Sequence, residues 1–139
     1  MEMVVVGVDG SETARMAANE AASVAEAFGC PLHLVCAVGS SETVTAGSSA
    51  ETWTVTSLDL AEGTLVDVAA QMPKGVDRTT AALKGKPADV LLAEAERLGA
   101  DLIVVGSRRT QGMARVLGSV AKDVLAQAPC SVYVAHTTR

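Results

Sequence analysis

Residues 101–120, Asp-Leu-Ile-Val-Val-Gly-Ser-Arg-Arg-Thr-Gln-Gly-Met-Ala-Arg-Val-Leu-Gly-Ser-Val, constrain the fold more than any other stretch of the chain. Leu102, Ile103, Val104 and Val105 form an unbroken, mostly β-branched apolar run. Such a run predicts a strand buried on both faces, as a parallel sheet demands. Gly106 stops it, an arginine-bearing loop follows, and Gly118-Ser119 leads into apolar residues at helical spacing. Strand, glycine loop and helix N-terminus in that order suit anion binding. Backbone N–H groups converge there, and the helix dipole adds roughly half a positive charge. Arg108, Arg109 and Arg115 lie in this stretch, and Leu102 to Val120 contains no carboxylate. The segment predicts an anion site, with a solvated basic loop as the plainer alternative.

The remainder of the chain alternates in the same way. Residues 4–8 read as a first strand ending at Asp9-Gly10-Ser11, where Ser11 is a good N-cap for an alanine-rich helix closed by Gly29. Residues 32–38 read as the second strand. Residues 39–57 are rich in Gly, Ser and Thr without clear periodicity, and predict a flexible surface loop, some of which act as lids. Leu58, Ala61, Leu65, Val68 and Ala69 mark a helix over 58–72. The third strand, 76–83, is polar enough to be an edge. Gly85-Lys86-Pro87 opens a helix with Leu91, Ala95 and Leu98 inward, and Gly99 ends it. Strand four is 101–105. A helix from Ser119 directs Ala121, Val124, Leu125 and Ala128 inward and stops before Pro129, and residues 131–135 form strand five. The prediction is α/β: a doubly wound five-stranded parallel sheet, order 3-2-1-4-5, with helices on both faces. Its ligand crevice would lie between strands one and four, with Asp9 and Gly106 facing it.

Composition narrows the function classes. A length of 139 residues suits one domain, expected here to be residues 1–139. A net charge of −5 argues against general nucleic-acid binding. Residues 1–73 hold ten carboxylates against the single base Arg15, so clustered arginines further on suggest a local anion site. No apolar run approaches the ~18 residues of a membrane span. The N-terminal stretch lacks a basic n-region, so no secretory signal is expected and the cytoplasm is the default location. Cys30, Cys36 and Cys130 are odd in number and without C-x-x-C spacing, hence core thiols. His33 and His136 are too isolated to suggest a metal site. His33 is expected to pack beside strand two, and His136 to lie at the solvated end of the last strand.

Motifs for catalysis fail on inspection. Asp9-Gly10-Ser11 is similar to an aspartyl phosphotransferase loop, but Gly7 stands where its nucleophile belongs. The stretch from Gly112 to Ser119 lacks the lysine and the spacing of a P-loop. Nothing local assembles Ser119, His136 and Asp9 into a triad. No catalytic residue is assigned, and slow incidental ATP hydrolysis is the most that is expected.

Val6-Gly7-Val8-Asp9-Gly10-Ser11, Gly85-Lys86-Pro87-Ala88 and Ala100-Asp101-Leu102-Ile103-Val104-Val105-Gly106-Ser107-Arg108 together resemble the universal stress protein family. So do Leu117-Gly118-Ser119-Val120 and Ala128-Pro129-Cys130-Ser131-Val132, in family order over nearly the whole chain. The resemblance implies a sheet of the adenine nucleotide alpha hydrolase-like type and a homodimer paired through the last strand. In one branch it implies ATP or another adenine nucleotide (AMP, cyclic AMP) in the crevice, with Mg2+ as an optional companion. By position, Gly7, Val8 and Asp9 would border base and ribose, and Ala37 would offer backbone atoms to adenine. Gly106, Ser107, Arg108, Arg109 and Gly112 would belong to the phosphate loop, and Gly118, Ser119 and Val120 would hold phosphate. Structural uses stand beside these: Asp9 capping the first helix, Gly118 turning the chain, Ser119 capping the last helix.

The nucleotide-binding fingerprint of that family is Gly, two residues, Gly, nine residues, Gly, then Ser or Thr. Gly106 and Gly118-Ser119 match, but Arg109 stands at the second glycine, and only eight residues separate it from Gly118. The leading expectation is a non-enzymatic, nucleotide-binding stress regulator with protein partners not named by the sequence. The alternative is a dimeric interaction protein of the same fold that binds no nucleotide.

Overall fold

The computed structural model describes residues 1–39, 43–48, 51–107 and 117–137, with side chains described outside 43–56. Its elements are β1 (Val4–Gly7), α1 (Glu12–Phe28), β2 (Leu32–Val38), β3 (Thr43–Ser48), β4 (Glu51–Thr56) and α2 (Ser57–Ala70). They continue with β5 (Arg78–Lys84), α3 (Pro87–Leu98), β6 (Leu102–Gly106), α4 (Ser119–Gln127) and β7 (Ser131–Ala135).

Five parallel strands form one sheet in the order β5-β2-β1-β6-β7. Leaving out the pair β3–β4, this is the 3-2-1-4-5 order expected from the alternating pattern. The β-strand period of two divides the core cleanly. Val4 and Val6 of β1 point to a layer built from Ala17, Ala18, Ala21 and Ala25 of α1 and Leu65 and Val68 of α2. Val5 points the other way, to Leu91 and Ala95 of α3 and Ala121 and Val124 of α4. β1 is therefore buried on both faces, which its unbroken valine run required. The alanines of α1 let that helix lie close against the sheet.

Local chemistry explains the helix ends. Ser11 Oγ accepts from the Ala14 amide, so α1 is capped as expected. Gly29 and Gly99 close α1 and α3 in the left-handed conformation. Gly85 has φ of +139°, and a Cβ there would meet Val90 at 2.9 Å, so the turn into α3 requires glycine.

Several expectations are corrected. Residues 39–57 are not simply a loop, because β3 and β4 pair antiparallel within them. Threonines alternate there with Val44, Ala46, Trp53 and Val55 along the register, a period-two pattern that the Gly and Ser content obscured. α2 starts at Ser57, one residue early. Leu125 is 47% exposed and does not join the core, since Ala121 and Val124 already occupy the sheet-facing side of α4. Ser119 is the first residue of α4, and Gly118 is its N-cap.

β5 is an edge strand, as its polarity suggested. The three cysteines are free, with Cys30 and Cys36 buried and Cys130 half-buried. Burial pushes the Cys36 thiol above its ordinary value, with Asp9 adding to the effect, which keeps it protonated and inert. His33 lies within β2 rather than beside it, buried against Glu94 of α3, and His136 is exposed. Among the described residues, no helix is long and apolar enough to cross a membrane.

Candidate functional site

Strand order reverses between β1 and β6, and a crevice opens there at the carboxyl ends of the strands. Its volume is about 560 Å³, within the roughly 300–1,000 Å³ usual for small-molecule sites. The ends of β1 and β6 supply Gly7, Val8, Val105 and Gly106, and β2 supplies Val35 and Ala37. Ser11, Thr13 and Ala14 come from the start of α1, and Pro87 and Leu91 from α3. Gly118, Ser119, Val120 and Ala121 come from the start of α4.

Two chemically different walls result. Val35, Ala37, Pro87, Leu91 and Val105 make an apolar shelf suited to a planar ring. Gly7 belongs to this wall for a steric reason, since a Cβ there would lie 3.1 Å from Leu91 Cδ1. The opposite rim is polar. Asp9 Oδ1 accepts from the Ser11 amide at 2.9 Å and from Ser11 Oγ at 2.5 Å. Ser11 Oγ in turn lies 3.1 Å from Thr13 Oγ1. Asp9 thus orients the residue that caps α1 rather than capping the helix itself.

The start of α4 is built differently from that of α1. Its N-cap, Gly118, has an extended backbone and makes no side-chain cap bond. A helix N-terminus without its own cap presents amide donors and the positive end of the dipole to whatever occupies the crevice. Asp9 is the only carboxylate among the described lining residues, and none of them is Lys or Arg. No group of three metal-ligating side chains occurs among the described residues.

Of the positions singled out in the sequence, Gly7, Val8, Asp9, Ala37, Gly106, Gly118, Ser119 and Val120 all line this crevice. Ser107 does not: its amide donates to the Ala135 carbonyl and its Oγ accepts from the Thr137 amide, so it is engaged with the far end of β7. Arg108, Arg109, Gly112 and Arg115 lie outside the described residues. Sequence reasoning passed over Val35, Thr13, Pro87 and Leu91. Val35 was within reach, because it shares a face with Ala37 in a period-two strand. Leu91 read as an ordinary core position, and only the bare Gly7 opposite reveals its second use.

These features define a doubly wound α/β protein with a half-apolar, half-polar crevice at its switch point. The sequence profile of the universal stress protein family matches residues 1–136. The chain is 33% identical over 135 residues to universal stress protein MJ0531 of Methanocaldococcus jannaschii, covering 94% of this chain and 79% of that one. Among solved structures, a universal stress protein in complex with cAMP superposes with a TM-score of 0.73 at 26% identity, covering 99% of this chain and 98% of that one. UspA from Lactobacillus plantarum gives 0.68 at 25% identity, covering 97% of each chain. The chain belongs to the universal stress protein family.

Proposed function

We propose that this protein is a non-enzymatic regulator that binds an adenine nucleotide in the crevice between β1 and β6. The observation that carries the reading is the pairing of an apolar shelf with the uncapped N-terminus of α4 in one cavity of nucleotide size. The shelf fits a purine, with Val8 and Ala37 beside it and Gly7 and Asp9 bordering the ribose. Gly118, Ser119 and Val120 offer amide and hydroxyl donors to phosphate. A similar protein has been solved in complex with cAMP, which supports an adenine nucleotide as the ligand class. Any Mg2+ would arrive with the phosphates, since Asp9 is the one described carboxylate on the lining. Bound nucleotide would shift the population of surfaces shown to protein partners. We place this action in the cytoplasm, in a homodimer paired through β7.

A second reading is a dimeric interaction protein with no nucleotide, favoured by Arg109 at the second fingerprint glycine and by the eight-residue spacing. Calorimetric titration with ATP, AMP and cAMP, with mass spectrometry of the purified protein after denaturation, separates the two. Nucleotide released on denaturation, or saturable binding, supports the first. No binding of any of the three overturns it.

A further inference from the structure

Gly106 is one of the glycines a nucleotide fingerprint reserves for close approach of ligand, yet here its bare side faces protein. A Cβ at Gly106 would meet Thr137 Cγ2 at 3.1 Å and Thr137 Oγ1 at 3.2 Å, with the Thr13 carbonyl at 3.7 Å. Thr137 follows β7 by two residues and is only 2% exposed. Its amide donates to Ser107 Oγ at 3.1 Å, and the Ser107 amide donates to the Ala135 carbonyl at 2.8 Å. The exit of β6 is therefore tied to the end of β7 by one hydrogen bond and to the chain beyond it by another, and the Thr137 side chain fills the space a Cβ at Gly106 would need. Gly106 and Thr13, which flank Thr137, both line the crevice.

We infer that Thr137 is a positioning residue for the crevice: seated against Gly106 and bonded to Ser107, it sets the exit of β6 relative to the first turn of α1. The inference rests on the nucleotide reading for its functional readout, but its geometry does not. Gly106 is needed because Thr137 occupies the space of its missing side chain. Thr137→Ala clears the methyl and the hydroxyl that face residue 106, the latter 3.4 Å from Ser107 Oγ, and a Cβ at residue 106 then refills that space.

The test is a double-mutant cycle of Gly106→Ala and Thr137→Ala, read by ATP and cAMP affinity and by hydrogen exchange of the Ser107 amide in the nucleotide-free protein. Gly106→Ala should weaken binding by about tenfold or more, the size expected of contacting residues, and should speed Ser107 exchange. Thr137→Ala should weaken binding less, and the double variant should recover both readouts. A double variant that binds as poorly as Gly106→Ala overturns the inference, since the glycine would then face ligand. Melting temperatures that fall while affinity and Ser107 exchange stay unchanged also overturn it. Should Gly106→Ala fail to fold, Thr137→Ala carries the test alone: it must loosen Ser107 and weaken binding. If the wild-type protein binds no nucleotide, the functional reading fails separately. Ser107 exchange and the amide shifts of Gly118, Ser119 and Val120 then decide, and unchanged values in both single variants overturn the inference.

Discussion

His33 Nε2 stands 2.8 Å from Glu94 Oε2, joining the start of β2 to α3 inside the core. Thr79 of β5 lies 2.6 Å from His33 Nδ1, and Arg97 donates to Glu94 through Nε at 2.7 Å and Nη2 at 2.9 Å. Neither His33 nor Glu94 was recognisable from the sequence as one of a pair, because they are 61 positions apart. Facing an ionised Glu94, His33 Nε2 is the donor, and the Thr79 hydroxyl completes the other nitrogen.

This arrangement predicts a defined acid limb of stability. Hydrogen bonds from Arg97 first, and also from His33, outweigh burial and hold the Glu94 carboxyl at about 2 against an ordinary 4.5. A depressed carboxylate stabilises the fold above its unfolded value, and that contribution fades as pH falls from about 4.5 through about 2. At ~1.4 kcal/mol per pKa unit, and discounting for the exposed Arg97 end, the loss is about 2 kcal/mol. Urea denaturation from pH 7 to pH 2.5 should show it, and Glu94→Gln should flatten that limb. An unchanged limb in the variant would refute the assignment.

Arg78 is the second structural charge. Its guanidinium donates to the carbonyls of Ala69, Met72, Pro73 and Val76, satisfying the C-terminal end of α2 and the turn into β5. Charge-assisted bonds of this kind contribute about 1.5–3 kcal/mol, so Arg78→Ala should destabilise the fold by about 2–3 kcal/mol in chemical denaturation. Arg78→Lys should recover only part of that, because an ammonium cannot reproduce the planar fork.

Gly118 offers a test in which stability and binding move apart. Its φ is −65° and ψ is 160°, so a side chain is conformationally acceptable there. Aspartate at an N-cap is worth only a few tenths of a kcal/mol over glycine, so Gly118→Asp should fold at least as stably as the parent. The same carboxylate would occupy the α4 amides and repel phosphate, abolishing nucleotide binding. Calorimetry with unchanged affinity would remove phosphate from this helix. Ser119→Ala becomes a cleaner test of the hydroxyl's contribution to binding than the sequence suggested, since Ser119 is not the cap.

The strands and helices were legible because each carries a local signal: β-branched runs, glycine stops, a serine cap. The switch-point crevice followed from strand order, which placed Asp9 and Gly106 together from sequence, and Gly118 joined them through the family resemblance. What escaped were relationships that exist only across the fold. Thr137 against Gly106, Leu91 against Gly7 and Arg78 against four carbonyls have no spacing to betray them. The β3–β4 pair escaped for a different reason, since glycine and serine in and around it diluted a genuine alternation of threonine with apolar residues.

The outer edge of β7 should carry the homodimer. Ala135 directs its carbonyl inward to Ser107, so by strand alternation Val132 and Val134 direct their backbone groups to the open edge. Both valine side chains pack against the α3–α4 core layer, which makes a charged substitution there destructive in itself. Val132→Pro is the milder test. It removes one outward donor at a position where an edge strand tolerates proline. Light scattering at micromolar concentration should show a dimer for the parent and a monomer for the variant, with helical dichroism retained. A monomeric parent would end the dimer proposal.

Arg109 and the eight-residue spacing should relax the choice among nucleotides. A fixed backbone cradle distinguishes phosphate number sharply because its donors cannot follow the ligand. With arginine at the second glycine position, one close backbone approach is lost, and a guanidinium on a long side chain can only partly replace it. Arg108, Arg109 and Arg115 keep guanidinium groups in this segment, and a long side chain discriminates phosphate number less sharply than fixed backbone N–H groups. ATP should therefore lose most of its advantage, with AMP and cAMP binding within about tenfold of it, a difference near 1.4 kcal/mol. Titration of all three at one ionic strength measures this directly, and a hundredfold preference for ATP would refute it. Arg109→Gly alone should leave the ratios nearly unchanged. Restoring triphosphate preference should require Arg109→Gly together with one inserted residue before Gly118, because both the close approach and the reach of the segment must return.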